Sequence, residues 1–250
     1  MARIFITGSA DGLGLLAAKS LVNQGHNVVL HARNPERGKQ AIDNVPGAET
    51  VFTADLSDIE ETKMLAHEVN NSGAFDAIIH NAGVYQVASK TIFAVNTLAP
   101  YILTCLIHKP KRLIYLSSSL HLQGKPNLEE FKINTNHLSY SDSKLHVLML
   151  AKVIARKWPD VYANAMDPGW VPTRMGGKGA PDDLQKGYET QVWLATSDDI
   201  NTKVSGRYFH HQKERRHNPM ADDITLQEKF LETCKMITGV SFPYSQGLRS

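Results

Sequence analysis

A glycine-rich turn near the start of the chain constrains the fold more than any other stretch. Residues 3–7 form a short β-rich run, and the run Gly8-Ser9-Ala10-Asp11-Gly12-Leu13-Gly14 follows at once. Residues 13–23 then carry apolar side chains at helical spacing. In a strand, turn and helix of this kind, glycines let the backbone approach a pyrophosphate at the helix N-terminus, where free N–H groups favour anions. A tight turn that binds nothing is the alternative for this motif taken alone.

The rest of the chain alternates between strand-like and helical runs. Besides residues 3–7, six further runs are predicted to be strands, namely 27–31, 49–54, 75–80, 112–116, 161–166 and 205–210. No internal repeat, linker or low-complexity run divides the 250 residues, so the pattern predicts a single domain over residues 1–250. The expected fold class is α/β, a Rossmann-type doubly wound, seven-stranded parallel sheet with helices on both faces.

Charge and apolar content exclude several classes of partner. The formal net charge is +2, and the densest basic run, residues 213–217, holds only three full positive charges. We therefore expect this run to be a solvated loop and expect no nucleic-acid partner. No apolar stretch approaches the length of a membrane span, so no membrane partner is expected either. Because strand-like sequence begins at Arg3, no room is left for a signal peptide, and a cytoplasmic location is expected.

The two cysteines indicate neither a metal site nor a disulfide. Cys105 lies in an apolar run and Cys234 in the last predicted helix, without the close spacing that metal ligands show. In a reducing compartment a disulfide between them is not expected. We predict a buried thiol at Cys105 and no metal.

The residues after the second predicted strand bear on the choice between two dinucleotides. A site that prefers NAD normally places a carboxylate there, which accepts a hydrogen bond from the ribose 2′-hydroxyl. This sequence has Ala32 and then Arg33, whose guanidinium could clamp a 2′-phosphate in bidentate fashion. NADP(H) is therefore expected as the cofactor rather than NAD(H). The alternative is that Arg33 only decorates a loop.

A tyrosine and a lysine four residues apart form a candidate reactive pair. Apolar side chains recur every three to four residues over 138–158, which predicts a helix with Tyr140 and Lys144 on one face. A phenol titrates at about pH 10, and a fixed cation beside it favours the phenolate, which brings its pKa toward neutral pH. General acid–base catalysis requires such a shift. The same spacing also arises by chance from a surface tyrosine and a solvated lysine.

Several polar or small residues follow predicted strands or interrupt apolar helices. Asp55 and Leu56 follow the third strand, and Asn81-Ala82-Gly83 follows the fourth, where small residues let a flat ring lie against the backbone. Asn96 lies inside an apolar helix and must find hydrogen-bond partners, as a core amide or a functional one. Ser117-Ser118-Ser119 follows the fifth strand. Turn and capping roles are the alternatives for these residues.

The stretch after the sixth predicted strand has to follow an irregular path. Its sequence is Asp167-Pro168-Gly169-Trp170-Val171-Pro172-Thr173, and prolines and glycines break regular structure there. Residues 174–183 then contain Gly176, Gly177 and Gly179, which predicts a flexible loop that could order over a ligand.

Together these pieces resemble the short-chain dehydrogenase/reductases over nearly the whole chain. The matching motifs occur in the family's order, and they are Thr7-Gly8 with Gly12 and Gly14 (TGxxxGxG), Asp55, Asn81-Ala82-Gly83 (NAG), Asn96, Ser118, Tyr140 with Lys144 (YxxxK), and Pro168-Gly169 with Thr173. The resemblance implies an NAD(P)-dependent oxidoreductase that acts on CH–OH and C=O groups.

The resemblance also implies four catalytic residues. Tyr140 would exchange a proton with the alcohol or carbonyl oxygen, and Ser118 would hydrogen-bond that oxygen. Lys144 would lower the pKa of Tyr140 and bind the nicotinamide ribose. Asn96 would hold a water that links Lys144 to solvent. Hydride transfer needs such a polarised carbonyl and a matched proton donor.

A larger set of residues is implied to bind the cofactor. Asp55 would touch the adenine edge, and Thr173 with the backbone near Val171 would hold the carboxamide. The full set is Gly8, Ser9, Asp11, Gly12, Leu13, Gly14, Arg33, Asp55, Leu56, Asn81, Ala82, Gly83, Tyr140, Lys144, Pro168, Gly169, Val171 and Thr173.

One branch of the family fits this sequence best. Aligning residues 116–121 with the family's V-S-S-x-x-H pattern selects Ser118 as the catalytic serine, with Ser119 as the alternative. The insert between Ser118 and Tyr140 is longer than in the commonest form, and with residues 33–38 and 205–209 it resembles the retinol-dehydrogenase-like branch. That branch tends to use NADP and to act on lipophilic carbonyls.

The sequence thus predicts an NADP(H)-dependent oxidoreductase, a carbonyl reductase that interconverts a carbonyl and an alcohol on a small, lipophilic substrate. The alternative is a catalytically silent protein of the same fold that senses NADP(H). Such proteins commonly lack the tyrosine or the lysine of the YxxxK motif, whereas this chain has both, as Tyr140 and Lys144. Many relatives form homodimers or homotetramers through the helices that carry Asn96 and Tyr140, and both states are open here. The substrate pocket is expected to be lined by Tyr85, Leu120, His121, Leu122, Trp170 and Met175.

Overall fold

One mixed sheet forms the centre of the molecule in a computed structural model that describes residues 1–128 and 138–243. Its strands are β1 Arg3–Ile6, β2 Asn27–Ala32, β3 Thr50–Thr53, β4 Ala77–His80, β5 Arg112–Leu116, β6 Tyr162–Asp167, β7 Tyr208–His210 and β8 Lys213–Glu214. They lie in the order β3-β2-β1-β4-β5-β6-β7-β8. Part of the long insert before Tyr140, residues 129–137, lies outside the described residues.

Seven of these strands are parallel, which confirms the predicted Rossmann-type sheet. The eighth, β8, pairs antiparallel with β7 at the sheet edge. The connecting turn places His211 and Gln212 at positive φ angles of 49° and 61°. The prediction that residues 213–217 form only a solvated loop is therefore wrong for Lys213–Glu214. The tight turn folds these two residues back onto the edge strand, and nothing in the local polarity of the run indicates that.

Eight α-helices connect or cover the strands of the described part. They are α1 Gly12–Asn23, α2 Pro35–Asn44, α3 Ile59–Asn71, α4 Ser89–Phe93, α5 Ala99–Leu106, α6 Tyr140–Lys157, α7 Leu184–Thr196 and α8 Ile224–Thr238. A capping box of Ser139 and Asp142 starts α6, which fixes the first turn of the helix that carries Tyr140. Among these helices none has both the length and the apolar character that a membrane crossing needs.

Helices pack against both faces of the sheet, as predicted. Successive side chains of a strand point to opposite faces. Accordingly Ile4 and Ile6 of β1 are buried in the cluster that contains α1, α2 and α7. Phe5, between them, is buried in the second cluster, with α3, α5, α6 and α8.

The strand order reverses beside β1, and this reversal places the candidate site. β2 and β3 lie to one side of β1, whereas β4 to β7 lie to the other. The chain leaves the C-terminal ends of β1 and β4 in opposite directions, which opens the crevice where such folds bind ligands. The glycine turn follows β1 and Asn81-Ala82-Gly83 follows β4, so both candidate segments meet at this crevice.

The C-terminal part of the chain covers the outer side of α5 and α6. Phe230 of α8 is fully buried, with its ring stacked 5.6 Å from that of His146 in α6. The Tyr101 hydroxyl of α5 donates to the carbonyl of Val240 at 2.7 Å, and the indole N–H of Trp158 donates to that of Pro243 at 3.1 Å. The chain itself therefore occupies a surface of the helices that carry the candidate site.

Candidate active site

The glycine turn is locked to the segment after β4. Asn81 Nδ2 donates to the carbonyls of Thr7 and Gly8, each at 3.0 Å, and the Ala82 N–H donates to Thr7 Oγ1 at 3.0 Å. A Cβ at Gly8 would lie 2.8 Å from Ala82 Cα, and one at Gly14 would lie 2.5 Å from the Gly8 oxygen. Only glycine fits these two positions. The result is a concave backbone surface at the N-terminus of α1, which is the shape and polarity that a pyrophosphate needs.

The segment after β6 borders this surface on the other side. Gly12 has a φ of 54°, and a Cβ there would meet nothing nearer than Thr173 at 3.9 Å. A Cβ at Gly187 of α7 would lie 2.8 Å from the Val171 side chain and 3.2 Å from that of Leu13. The structure thus brings Leu13, Val171 and Thr173 together beside the glycine turn, and the space that they border with this turn is called the groove below.

Ser9 is turned away from the groove. Its hydroxyl donates to the Ile6 carbonyl at 3.0 Å and accepts from the His31 N–H at 2.9 Å, and its own N–H donates to the His31 carbonyl at 3.0 Å. The side chain is fully buried. The expectation that Ser9 contacts the cofactor does not fit this geometry, because both of its polar groups bond within the sheet.

His31 supports the glycine turn, a role that the sequence analysis missed. Its Nδ1 accepts the Gly8 N–H at 3.0 Å, and its Nε2 lies 3.1 Å from the Ala54 carbonyl. Burial lowers the pKa of His31 to about 4, so the ring is neutral at neutral pH, as its acceptor role requires. The available signal was a histidine inside an otherwise apolar strand.

An open depression of about 490 Å³ lies at the C-terminal ends of β2 and β3. It is lined by Arg33, Asn34, Pro35, Thr53, Ala54, Asp55 and Glu61. Arg33 is exposed, and within residues 1–128 and 138–243 its guanidinium has no hydrogen-bond or ion-pair partner. Asp55 accepts from the N–H and hydroxyl of Ser57, at 2.9 and 2.7 Å, while the Leu56 side chain is buried. The depression can take a nucleoside with an anionic group beside Arg33.

A second arginine joins the glycine turn to α2. The Arg37 guanidinium forms an ion pair with Asp11 at 2.5 Å. The backbone N–H of Arg37 donates to Asn34 Oδ1 at 2.9 Å, which caps the start of α2. Asp11 is implied to bind the cofactor, and its negative charge is thus neutralised by Arg37 of α2. The first residues of the same helix line the depression. The sequence analysis did not single out Arg37, because its partner lies 26 residues away.

The structure brings three other predicted site residues, Gly83, Asn96 and Tyr140, together around Lys144. Its ammonium is buried, donates to the Leu116 carbonyl at 2.8 Å and lies 5.2 Å from the centre of the Tyr140 ring. A Cβ at Gly83 would lie 3.4 Å from Lys144 Nζ and 3.6 Å from Asn96 Oδ1. Burial lowers the pKa of Lys144 to about 8. The lysine is therefore a cation at neutral pH, and its pKa lies about one unit above that pH.

The pKa of Tyr140 is shifted in the direction opposite to the sequence expectation. Burial raises the pKa first, and the Asp167 carboxylate and the Tyr85 phenol, whose ring lies 4.8 Å away, raise it further. The expected lowering by Lys144 is not found, because burial lowers the pKa of Lys144 to about 8 and the lysine has lost its charge at the pH where Tyr140 ionises. Tyr140 is therefore a neutral phenol at neutral pH.

Asn96 connects the loop after β4 to α6. Its amide accepts from the Val84 N–H at 2.8 Å and donates to the Val84 carbonyl and to Ser143 Oγ, each at 3.0 Å. The backbone around it, Ala94–Leu98, forms a π-helical turn, and Pro100 carries no N–H for an α-helical bond to the Asn96 carbonyl. Pro100 thus leaves the Asn96 carbonyl without its α-helical donor, which suits the implied water-holding role, whereas the side chain already bonds Val84 and Ser143.

The three adjacent serines have different environments. Ser117 is buried and its hydroxyl donates to the Lys144 carbonyl at 2.8 Å. Ser118 is half-buried, and among the described residues its hydroxyl accepts a single long bond, 3.3 Å, from the Leu120 N–H. Ser119 is exposed. Ser117 therefore has a structural role, since its hydroxyl bonds the backbone of α6. The preference for Ser118 over Ser119 as the catalytic serine stays a prediction.

His121 does not line the pocket, contrary to expectation. The ring is fully buried, with Nδ1 2.6 Å from the Ser118 carbonyl and Nε2 accepting the Asn218 N–H at 3.2 Å. Asn218 Nδ2 also donates to the His121 carbonyl at 3.2 Å. His121 therefore anchors the turn that carries Ser118, because its two ring nitrogens are both engaged by backbone groups.

Comparison with known proteins gives the family. The model of the short chain dehydrogenase family matches residues 2–110. An uncharacterized oxidoreductase of Emericella nidulans is 46% identical, over 97% of this chain and 99% of that protein. This chain is a member of the short-chain dehydrogenase/reductase family. It is accordingly an NAD(P)-dependent oxidoreductase, as predicted.

Two further likenesses agree with this membership. Retinol dehydrogenase 14 of Mus musculus is 26% identical, over 95% of this chain and 86% of that protein. A solved short chain dehydrogenase from Shigella flexneri, complexed with NADP, has a TM-score of 0.67 at 23% identity. The match covers 85% of this chain and 97% of that one, and it shows the shared fold.

Large apolar side chains are exposed on the segments that follow β4, β5 and β6 of this short-chain dehydrogenase. Trp170 is 61% exposed, and its indole N–H donates to the Gly176 carbonyl at 2.8 Å, which fixes the ring outside the core. The predicted loop over residues 174–183 is tied back to Thr173 by the Gly177 N–H at 2.8 Å. Other large apolar side chains expected at the pocket are also exposed, namely Tyr85, Leu120, Leu122 and Met175.

Asp167 is the second functional residue that the sequence analysis missed, since it was quoted only as part of a loop. It ends β6 of this dehydrogenase and is 6% exposed. It directly follows Met166, which pairs with Leu116 of β5, and the Leu116 carbonyl accepts from the Lys144 ammonium. At this position its carboxylate acts to raise the pKa of Lys144 and of Tyr140. The available signal was an ionisable side chain directly before Pro168-Gly169, at the end of a buried strand.

Proposed function

We propose that this short-chain dehydrogenase/reductase uses NADP(H) to interconvert a carbonyl and an alcohol. The observation that supports this most is the buried Lys144 ammonium beside Gly83, Asn96 and the Tyr140 ring, at the same crevice as the glycine turn. When bound, the nicotinamide supplies or accepts the hydride at the substrate carbon.

The chain's own residues supply the acid–base chemistry. Tyr140, a neutral phenol, donates a proton to the carbonyl oxygen, and the Ser118 hydroxyl hydrogen-bonds the same oxygen. The Lys144 cation stabilises the phenolate that forms. The Asn96 carbonyl holds a water through which Lys144 exchanges protons with solvent. Retention of this set gives no support to a catalytically silent sensor.

The groove residues fit the cofactor along its length. The backbone of the glycine turn holds the pyrophosphate, Arg33 the 2′-phosphate, and Asp55 and Leu56 border the adenine. The Lys144 ammonium also holds the nicotinamide ribose. The remaining residues assigned to cofactor binding are Gly8, Asp11, Gly12, Leu13, Gly14, Asn81, Ala82, Gly83, Tyr140, Pro168, Gly169, Val171 and Thr173.

The substrate we propose is small and lipophilic. Trp170, Met175 and Leu122 lie on the segments after β6 and β5, which also carry site residues, and each exposes apolar surface to water. A ligand that covers them removes that surface from water, which favours an aliphatic or aromatic carbonyl over a charged one.

Oxidation of NADPH against a panel of carbonyls tests the proposal. The panel contains retinal, steroids, aromatic and aliphatic aldehydes and diketones, with charged α-keto acids as the polar comparison, and NADH runs in parallel. We expect turnover of at least one apolar carbonyl, faster with NADPH than with NADH. Tight NADPH binding without turnover of any compound would contradict the proposed activity.

Replacing Arg33 with alanine is expected to weaken NADPH binding by about 10- to 100-fold, because charge-assisted bonds to a phosphate contribute about 1.5–3 kcal/mol. NADH lacks the 2′-phosphate, so its affinity should stay unchanged. Calorimetric titration of both cofactors measures the effect. Lys39→Ala removes another exposed cation of the neighbouring helix and serves as the control. Equal losses for NADPH and NADH would count against the assignment.

We also expect the protein to be monomeric. α8 and the residues after it cover the outer side of α5 and α6, with Phe230, Tyr101 and Trp158 as anchors. A second copy cannot dock on that surface while it is occupied. Sedimentation equilibrium should give the mass of one chain at micromolar concentration, and a dimer or tetramer mass would contradict the expectation.

A further inference from the structure

The Asp167 carboxylate is held in a fixed position at the C-terminal end of β6. Its Oδ1 accepts the Gly169 N–H at 2.9 Å, and its Oδ2 accepts the Ser119 N–H at 3.0 Å. Two backbone donors from two segments, one after β5 and one after β6, therefore fix the carboxylate of a side chain that is only 6% exposed.

Several ionisable groups surround this carboxylate. His210 of the neighbouring strand has its Nδ1 3.7 Å from Asp167 Oδ2 and 3.2 Å from the Asp167 carbonyl. His121 lies across the Tyr208 ring, 4.5 Å between centres, and both of its nitrogens are engaged. The charged or titratable groups that face it from each packed element are Tyr140 and Lys144 of α6, His121 after β5, Tyr208 and His210 of β7, His211 of the β7–β8 turn, and Asp182 across Gly169.

We propose that Asp167 is a positioning residue that sets the charge state of the Tyr140–Lys144 pair and holds the turn that carries Ser118. A buried ammonium loses its proton easily, since burial disfavours the charged form. The Asp167 carboxylate is bonded to the segment after Leu116, whose carbonyl accepts from Lys144, and Met166 before it pairs with Leu116. From this fixed position it counteracts the loss at Lys144 and at the same time opposes ionisation of Tyr140. The catalytic meaning of this inference rests on the proposed function, whereas the charge coupling itself does not.

The two effects act together in carbonyl reduction. With Asp167 ionised, Tyr140 keeps the proton that it has to donate, and Lys144 keeps the charge that stabilises the resulting phenolate. The bond from the Ser119 N–H fixes the backbone directly after Ser118, and Ser117 is fixed from the other side by the Lys144 carbonyl. The Asp167 carboxylate thus fixes the backbone beside Ser118 and also keeps the proton on Tyr140.

Titration of Lys144 by NMR tests the inference without any turnover. Lysines are labelled with ¹³C at Cε, and the Lys144→Met spectrum assigns the resonance. Asp167→Asn keeps the size and one acceptor oxygen but removes the charge. We expect the Lys144 midpoint to fall by about one pH unit, which is typical of losing an opposite charge close by. A midpoint equal to that of the wild type would overturn the proposal.

A matched control and a second substitution keep the test decisive. Asp182→Asn removes another carboxylate of the same segment, which accepts the Trp170 N–H at 2.6 Å, and should leave the Lys144 midpoint unchanged. An equal fall in both variants would overturn the assignment to Asp167. If circular dichroism shows Asp167→Asn unfolded, Asp167→Ser removes the same charge and is judged by the same criterion.

Activity gives an independent second readout. If the enzyme oxidises an alcohol with NADP, the acid limb of its kcat/KM profile should move to lower pH in Asp167→Asn, because the phenolate of Tyr140 then forms more easily. An unchanged limb would overturn the coupling to Tyr140. A protein without any turnover would contradict the proposed function, while the Lys144 titration would still decide the charge coupling.

Discussion

Replacing Tyr140 with phenylalanine is expected to lower kcat for carbonyl reduction by about 10²- to 10⁴-fold, the usual contribution of a positioned general acid. The phenylalanine ring keeps the buried volume and the edge contact with Tyr85, whose ring centre lies 4.8 Å from that of Tyr140. Only the proton donor is lost. Lys144, Gly83 and the glycine turn are untouched, so the affinity for NADPH should be largely retained.

Two measurements make this expectation specific. Steady-state rates with NADPH and the best carbonyl give kcat, and calorimetry gives the NADPH affinity of the same preparation. Tyr162→Phe serves as the control, because Tyr162 begins β6 at the edge of the sheet opposite the site. If Tyr140→Phe has the wild-type kcat, Tyr140 is not the proton donor and another group must transfer the proton. A parallel loss in Tyr162→Phe would indicate a general effect on folding.

Local sequence patterns were sufficient for the seven parallel strands of the sheet and for the glycine turn. The order strand, Gly8 to Gly14, helix is a local signal, and the structure confirms it as β1, turn and α1. Parallel strands bring their C-terminal ends to one edge, so Asn81 and Thr173 meet the glycine turn although they are far away in sequence. The fold therefore turns residues that are predictable one at a time into a single groove.

The charge states of the site were not predictable in the same way. Positions four apart share a helix face, but that rule does not say where a long side chain sends its ammonium. Lys144 donates to Leu116, 28 residues before it, and the carboxylate that acts on it is Asp167, in another strand. Shifts in pKa depend on such long-range neighbours and on burial. The sequence therefore predicts that Tyr140 and Lys144 are paired, but it does not predict in which direction the pKa of each is shifted.

Buried histidines illustrate the same limit. His31 and His121 both look like ordinary polar residues in the sequence, the first ending a strand and the second beside the candidate serines. In the structure His31 accepts the Gly8 N–H, and His121 bonds the Ser118 carbonyl and the Asn218 N–H. Each positions a functional turn through contacts with backbone groups, whose positions sequence patterns do not report.

The free energy of unfolding is expected to fall steeply as the pH drops below about 6.5, the ordinary pKa of histidine. Burial lowers the pKa of His31 to about 4, of His80 to about 3 and of His146 to about 4. Between about pH 6.5 and 4 the unfolded chain therefore binds three protons that the folded protein does not. Stability is full above the unfolded pKa and is lost as the pH falls toward the folded values.

The expected slope follows from proton linkage. Each of the three histidines contributes about 1.4 kcal/mol per pH unit, so together they give about 4 kcal/mol per pH unit once the unfolded residues are protonated. Urea unfolding at several pH values between about 7 and 5 measures the slope, in a window where most carboxylates stay ionised in both states. A stability that is flat across this window would contradict the burial of these rings as neutral groups.

His80 offers the sharpest single-residue check of this linkage. Its ring stacks on Tyr115 at 4.8 Å, and within the described residues its buried Nδ1 has no hydrogen-bond partner. Its Nε2 lies 3.3 Å from Thr104 Oγ1, which also bonds the Tyr115 hydroxyl at 2.7 Å, so phenylalanine removes this one bond while Thr104 keeps a partner. His80→Phe should remove about a third of the slope, since one of the three proton-linked groups is gone. His67→Gln changes an exposed histidine of α3 and should leave the slope as in the wild type. An unchanged slope in His80→Phe would place the acid sensitivity in other groups.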